Sequence, residues 1–448
     1  MTRTSRALKR VARTAATAVV SAVFAVTLML TARAETIAFT GARIIPVTAT
    51  PIESGTLLVR DGKIAAVGAS GSVRIPRGAR AVDVSGTVIV PGLVDSHSHI
   101  GEVAGGDSSA PLAPETRVLD SINIRDAGFK RARAGGITSV NLMAGSGLLM
   151  SGQTIYVKLR KGNTIESLAY RTADGRIAGG MKMANGTNSR RDPPFPGTRA
   201  KSASLVRQQF VAAQEYRDKI RRADGDADKL PDRNLGLEAL VEILDGERVV
   251  HHHTHRHDDI VTALRLREEF GYRLVLHHVS EADRVAAEIA AANVPVSLIL
   301  VDSPGGKLEA MNLNFESPPV LEKAGVDVGF HTDDYITDSR LFLRMGALAV
   351  RTGMSREKAI EALTLANARI LELDGRIGSL EEDKDADFVV LSGDPFSVYT
   401  RVLETWVEGK KVFDLDDPDD RAVAEGAYGA LMPYSVAHEF HGYGEGHR

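Results

Sequence analysis

Residues 248–300 read RVVHHHTHRHDDIVTALRLREEFGYRLVLHHVSEADRVAAEIAAANVPVSLIL. Three short apolar runs stand out, RVVHHH (248–253), RLVLHH (273–278) and PVSLIL (295–300). DDIVTALRLREEF and EADRVAAEIAAANV lie between them, with apolar residues at helical spacing. Apolar strands alternating with helices of ten or more residues are the pattern of βα units around a parallel sheet.

The same rhythm extends over about 93–375. GLVDSHSH (92–99), ITSVNLM (137–143), TIYVKL (154–159), AGGMKM (178–183) and VDVGFHTD (326–333) bring the candidate strands to eight. Eight parallel strands over a span of this size predict an α/β fold, a (β/α)8 TIM barrel. Residues 36–92 and 385–413 are instead rich in Val, Ile, Thr and Gly with closely spaced turn signals, which predicts short strands and hairpins. The expected division is a small β-sandwich domain built from both chain ends (35–92 and 376–416) bracketing the barrel at 93–375. A polar insertion at 185–234, with a helix around 203–222, follows the fourth strand, and 417–448 is a tail.

Residues 1–34 differ from the rest. Arg3, Arg6, Lys9, Arg10 and Arg13 precede an uncharged, mostly apolar run from Thr14 to Ala32, and Ala32-Arg33-Ala34 offers a small-x-small cleavage site. This is the layout of a secretory signal peptide, so the chain is expected to be exported, periplasmic or extracellular, with no membrane attachment after cleavage. The 448 residues carry 55 Lys+Arg, 58 Asp+Glu and no Cys, and 43% are apolar. Such a composition is that of a globular protein rather than a disordered one. Without Cys there are no disulfides, thiolate metal sites or Cys nucleophile. A net charge of −3 gives no reason to expect nucleic acid. The expected partner is a small-molecule substrate, and the tail and β domain could supply the contacts of a homo-oligomer.

Catalytic groups of such a barrel stand at the carboxyl ends of its strands. Here the first strand ends in His97-Ser98-His99, whose histidines share a face by strand alternation. The fourth carries Lys182. The fifth ends in His251-His252-His253 and continues to His255 and His257, the sixth ends in His277-His278, and the eighth ends in His331-Thr332-Asp333-Asp334. Ten of the thirteen histidines therefore fall on four strand ends. Imidazole and carboxylate without thiolate suit a catalytic Zn2+ or similar ion. His251, His252 and His255 compete with His253 for the fifth-strand ligand. By alternation, one of His277 and His278 should face inward and the other outward.

TVIVPGLVDSHSHI (87–100) is similar to the first barrel strand of the amidohydrolase superfamily. GSLEEDKDADFVVLSGDP (378–395) resembles that superfamily's return into its small β domain, with Asp383 where Gly is usual. GSGLLMSGQ (145–153), GGMKMANGTNSRR (179–191) and HTHRHDDIVTALRLREEFGYRLVLHHVSEA (253–282) point to its imidazolonepropionase-like branch. The resemblance covers about 36–415. It implies a hydrolase of a C–N bond in an amide, cyclic amide or dipeptide-like substrate, working with a metal-activated hydroxide. A deaminase on the same barrel is the alternative, and a non-catalytic metal- or ligand-binding protein is a third reading. The resemblance also implies a ligand set of His97, His99, Lys182, His253, His278 and Asp333, with Asp333 as general base. Lys182 would be carboxylated if two ions are bound, although Thr187 stands where an acidic residue is common. His255, Gln153, Glu309 and His331 are candidates for substrate contact or for supporting the ligands. Arg190-Arg191 is expected to be an exposed charge pair.

Overall fold

A computed structural model of the chain describes residues 35–103, 105, 107, 109–300 and 308–426. The segment 1–34, expected to be a signal peptide, and the tail beyond 426 lie outside the described residues. No helix among the described residues is long and apolar enough to cross a membrane.

Both chain ends contribute to one eight-stranded sheet. Its strands are β1 (Thr36–Ile44), β2 (Ile52–Arg60), β3 (Lys63–Ala69), β4 (Arg80–Asp83) and β5 (Val88–Pro91) from the first part. The late strands of this sheet, Phe388–Leu391, Val402–Val407 and Lys410–Asp414, pair onto β5 through Phe388–Leu391. The sheet forks at β1, which pairs in parallel with β4 along Ile37–Thr40 and with β5 along Arg43–Ile44. Gly41 sits at the fork with φ +88, and a Cβ there would meet the Ser85 hydroxyl at 2.1 Å. Phe39, Phe388 and Trp406 pack together inside this unit.

The chain passes from the small sheet to the expected first barrel strand at Gly92. β5 stays in the small sheet, whereas β6 (Leu93–Ser98) turns into the second unit. There it pairs in parallel with β7 (Ile137–Leu142), and β7 pairs with β9 (Ile155–Lys158). The third expected strand is β9, and it runs antiparallel to β7. No helix separates the two, whereas a parallel return is usually made through one. β8 (Met150–Gln153) lies between them and pairs antiparallel with β10 (Met181–Ala184). Parallel pairing then continues through β11 (Val250–Thr254), β12 (Leu274–His278), β13 (Val296–Leu298) and β14 (Val328–Phe330). Nearly all residues of β6–β14 are buried, as expected for strands covered on both faces.

Single hydrogen bonds link the three-stranded group to the six-stranded one on both sides. Thr154 N and Tyr156 N donate to Gly180 O and Ala178 O, while Asp333 N donates to His97 O and His99 N to Asp334 O. Asn367, fully buried on the helix Leu365–Ile370, donates its amide to both Val94 O and Phe330 O. Gly329 makes room for it, since a Cβ there would lie 2.1 Å from Asn367 Oδ1. Asn367→Ala should therefore cost about 1–3 kcal/mol, because two buried carbonyls lose their donor. The expected result is a lower urea midpoint at unchanged slope.

The 185–234 insertion contains a 25-residue helix, Arg199–Ala223, longer than the sequence suggested. The Thr198 side chain caps its first turn by accepting from Lys201 N, and Asp224 ends it in a left-handed conformation.

Candidate metal centre

β6 presents His97 and the residue after Ser98, His99, on one face. The chain leaving β14 brings Asp333 against them, with its own backbone at φ +51. His97 Nε2 lies 3.3 Å from His99 Nε2. Asp333 Oδ1 lies 3.3 Å from the first and 2.9 Å from the second. Donors bonded at ~2.0–2.1 Å to one tetrahedral ion stand about 3.3 Å apart, so the three atoms are spaced as ligands. His99 Nδ1 lies 2.7 Å from Met143 O. A carbonyl only accepts, so this nitrogen carries the proton and Nε2 keeps its lone pair for an ion. Lys182 Nζ is 3.0 Å from His97 Nε2 and 3.3 Å from Met143 Sδ, which places it in the same cluster.

Supporting groups hold this corner. Asp95 accepts from His97 N, Thr332 N and the Thr332 hydroxyl. Burial nevertheless pushes its carboxyl up to about 7. Asp334 pairs with Arg131 and accepts from the backbone and hydroxyl of Ser339, so it fixes the loop rather than facing the ligands. His331 is held by Ser297 through Nδ1 and lies 3.2 Å from His278 Nδ1 through Nε2.

On β11 the alternation works as expected. His251 is in register with Lys182, and His253 with Ala184. His252 is buried on the other face and neither of its nitrogens has a hydrogen bond among the described residues. The expectation that only one of His277 and His278 turns inward is corrected. His277 faces the interior, its ring 5.0 Å from that of His97. His278 joins it from the strand's end, its ring 4.4 Å from His253 and 4.9 Å from His97. His278 has φ +69 and Val279 φ +40, so the extended backbone that enforces alternation ends there. Such positions cost of order 1–3 kcal/mol each and persist only where the surroundings impose them.

Burial, reinforced by Lys182, lowers His251 and His252 to about 3, and burial lowers His97, His277 and His278 well below the ordinary range. Neutral imidazole is the form that binds a metal.

His255 Nδ1 is tied to Ser280 Oγ at 2.7 Å. Glu309 is buried, and its Oε2 accepts from Thr187 N at 2.7 Å. One atom each of His253, His255 and Glu309 lies within 4.8 Å of the others. Gln153 is not brought to the ligands; its amide reaches Pro114 O at 3.5 Å and its backbone pairs with Met181. Arg191 is not an exposed charge: it is half-buried, donates to Gly147 O and stacks on Phe195.

Sequence reasoning missed Tyr156, whose hydroxyl lies 2.8 Å from His251 Nε2, and the continuing contact of His251 Nδ1 with His277 Nε2 at 3.0 Å. It also missed Ser297, bonded to both Ser96 and His331. The available signal was a polar residue in the middle of an apolar strand, which needs a partner when buried.

The Amidohydrolase family profile matches residues 251–413. Among solved structures, an amidohydrolase from Thermotoga maritima is 32% identical with a TM-score of 0.78, covering 84% of this chain and 100% of that one. The amidohydrolase tasK of Hapsidospora irregularis is 26% identical over 408 residues, 83% of this chain, and this chain spans 41% of that protein's length. An imidazolonepropionase of Rhizobium rhizogenes is 27% identical over 380 residues, 76% of this chain and 86% of the relative.

Proposed function

The chain belongs to the amidohydrolase superfamily, in its imidazolonepropionase-like branch of hydrolases acting on C–N bonds, and from that premise we propose an exported, metal-dependent enzyme that hydrolyses an amide, cyclic amide or dipeptide-like small molecule. The superfamily's α/β fold contains a TIM barrel, which the parallel strands β10–β14 suit, and the forked sheet stands where its small β domain is expected. Residues 1–34 support the export, as a basic start, an apolar run and a small-residue cleavage site.

One observation carries the reading: His97 Nε2, His99 Nε2 and Asp333 Oδ1 stand within 3.3 Å of one another. They suit Zn2+, with Lys182 beside them and His253 and His278 as the candidates of the fifth and sixth strands. His278 Nε2 is buried without a hydrogen bond among the described residues, a spare lone pair that fits ligation. A bound ion supplies Lewis acidity, polarising the substrate carbonyl and making hydroxide available from water near neutral pH. Lys182 as a carbamate would offer two anionic oxygens in place of its ammonium.

The remaining steps fall to the chain. Asp333 Oδ1 faces His97 and His99, leaving Oδ2 to take the proton of the attacking water. The water oxygen bonds to the carbonyl carbon, the C–N bond breaks, and Asp333 Oδ2 returns the proton to the leaving nitrogen. His331, braced by Ser297, keeps the His97 ring in place by stacking at 4.8 Å. The test is turnover on a panel of amides, cyclic amides, N-acyl amino acids and amino-heterocycles, before and after metal stripping. Carboxylate or amine release that stops on stripping and returns with Zn2+ is expected. Ammonia from a ring carbon alone would instead make the enzyme a deaminase. Turnover indifferent to metal would overturn the proposal.

A further inference from the structure

We propose that Arg190 and Arg191 bind a carboxylate of the substrate, so that the enzyme acts on small molecules carrying a free acid away from the scissile bond. The inference deepens the reading of the chain as a hydrolase of C–N bonds and rests on it. None of the metal-ligand candidates takes part.

Both arginines belong to the loop that leaves β10, the strand of Lys182. That loop is pinned at the carboxyl end of the strand. Asn185 N donates to His253 O, and the Asn185 amide to Asp259 O at 2.9 Å. Thr187 N donates to Glu309 at 2.7 Å, and Arg190 N turns back onto Thr187 O at 3.1 Å. The arginines therefore stand on a braced turn at the strand ends, the side of a barrel where substrates bind.

Arg191 is held in place by neutral groups. Its guanidinium lies 3.8 Å over the Phe195 ring, and Phe195 packs on Ala113 and Leu148. Nη2 donates to Gly147 O. Gly147 gives it room, since a Cβ there would come within 3.3 Å of that nitrogen. Gly147 is four residues beyond Met143, whose carbonyl meets His99 Nδ1 at 2.7 Å. Four residues span at most about 14 Å, so the guanidinium is tethered near a short molecule lying on the ligand corner.

Arg190 is the uncommitted charge. The residue is half-buried. Its Nε is enclosed without a hydrogen bond, whereas its terminal nitrogens are accessible and make no hydrogen bond or ion pair among the described residues. Enclosing part of a cation without a counter-charge is unfavourable, and a bound acid would supply that charge. The planar guanidinium fork matches the two oxygens of a carboxylate, with hydrogen bonds strengthened by charge. In a substrate with a hydrolysable C–N bond, an N-acyl amino acid or a dipeptide carries such a group.

The test uses the full chain loaded with Zn2+ and pairs of compounds, N-acetyl amino acids and their neutral carboxamides. Calorimetry reads binding without any need for turnover, and kcat/KM is compared wherever turnover occurs. The wild type should favour the acids by about 10–100-fold, the range for hydrogen bonds to a charged group. That ratio should fall towards one in Arg190→Gln and in Arg191→Gln at wild-type metal content. A merely structural role would weaken acids and carboxamides together. Arg190→Gln removes no hydrogen bond or ion pair among the described residues, so it decides the matter even if Arg191→Gln fails to fold. Equal binding of acids and carboxamides by the wild type, binding of neither, or an acid preference that survives Arg190→Gln would overturn the proposal. Acid-selective binding without turnover of any pair would leave this site standing and overturn the hydrolase reading. Turnover without acid preference would do the reverse.

Discussion

Asp333→Asn is expected to lower kcat by about 10²–10⁴-fold, the usual contribution of general acid–base catalysis, while metal stays bound. Asparagine keeps an oxygen where Asp333 Oδ1 meets His97 and His99, so the corner retains three donors. An amide cannot take the proton of water, nor return one to the leaving nitrogen. The loss should therefore fall on kcat, with KM little changed, because no interaction with the resting substrate is removed. The comparison needs metal content beside kinetics. Turnover within tenfold of the wild type, with the ion in place, would remove Asp333 from the base role. Loss of the ion would mean that its ligand role dominates, and Asp333→Glu would then be the variant to assay.

Lys158→Met should destabilise the fold by about 3–5 kcal/mol, the scale for removing one partner of a buried ion pair. Lys158 closes β9, is fully buried, and lies 2.5 Å from Asp385 Oδ2 and 3.0 Å from Asp387 Oδ2. The two aspartates enter the late strand Phe388–Leu391 of the small sheet, so this ammonium joins the sheet made by the chain ends to the unit that carries the histidines. Asp385 also receives Lys63 at 2.6 Å and Arg376 at 2.9 Å, whereas Asp387 has Lys158 alone among the described ion pairs. Methionine fills the volume, leaving Asp387 without a cation among the described ion pairs and Asp385 with Lys63 and Arg376. Chemical denaturation measures the effect, and a shift below 1 kcal/mol would show that the network is dispensable.

The same cluster predicts an acid dependence. Burial opposes ionisation of Asp385, but Lys158 first and then Lys63 and Arg376 hold its carboxyl at about 2, below its ordinary 3.8. A group depressed on folding contributes stability above its unfolded value, and that contribution is lost as pH falls through the folded one. The window is therefore from about pH 4 down to about 2. Asp387, raised by burial, works in the opposite sense. In Lys158→Met the slope of stability against pH across that window should be smaller than in the wild type; an unchanged slope would assign the acid sensitivity elsewhere.

Much of the candidate site was legible from local rules. A period-two pattern puts His97 and His99 on one face whatever lies around them, and the run 248–300 declares its strands and helices by periodicity alone. Lys182, His253 and Asp333 sit at strand ends that the alternating order already brings to one side of a parallel sheet. The direction of β9 was not legible, because strand propensity carries no information about the partner. The convergence of His277 and His278 was not legible either: alternation presumes an extended backbone, and packing imposes positive φ on His278 and Val279.

What the sequence by itself determined is the inventory and its order: which residues can ligate, which strand ends carry them, and which family they resemble. Only the tertiary structure decided which of them meet. Glu309 is more than fifty residues from His255, Tyr156 more than ninety from His251, and Lys158 more than two hundred from Asp385. Side-chain direction along a strand follows from the geometry of one residue and its neighbours, so a sequence displays it. Distance between remote side chains follows from how every intervening element packs, and no local pattern encodes that sum.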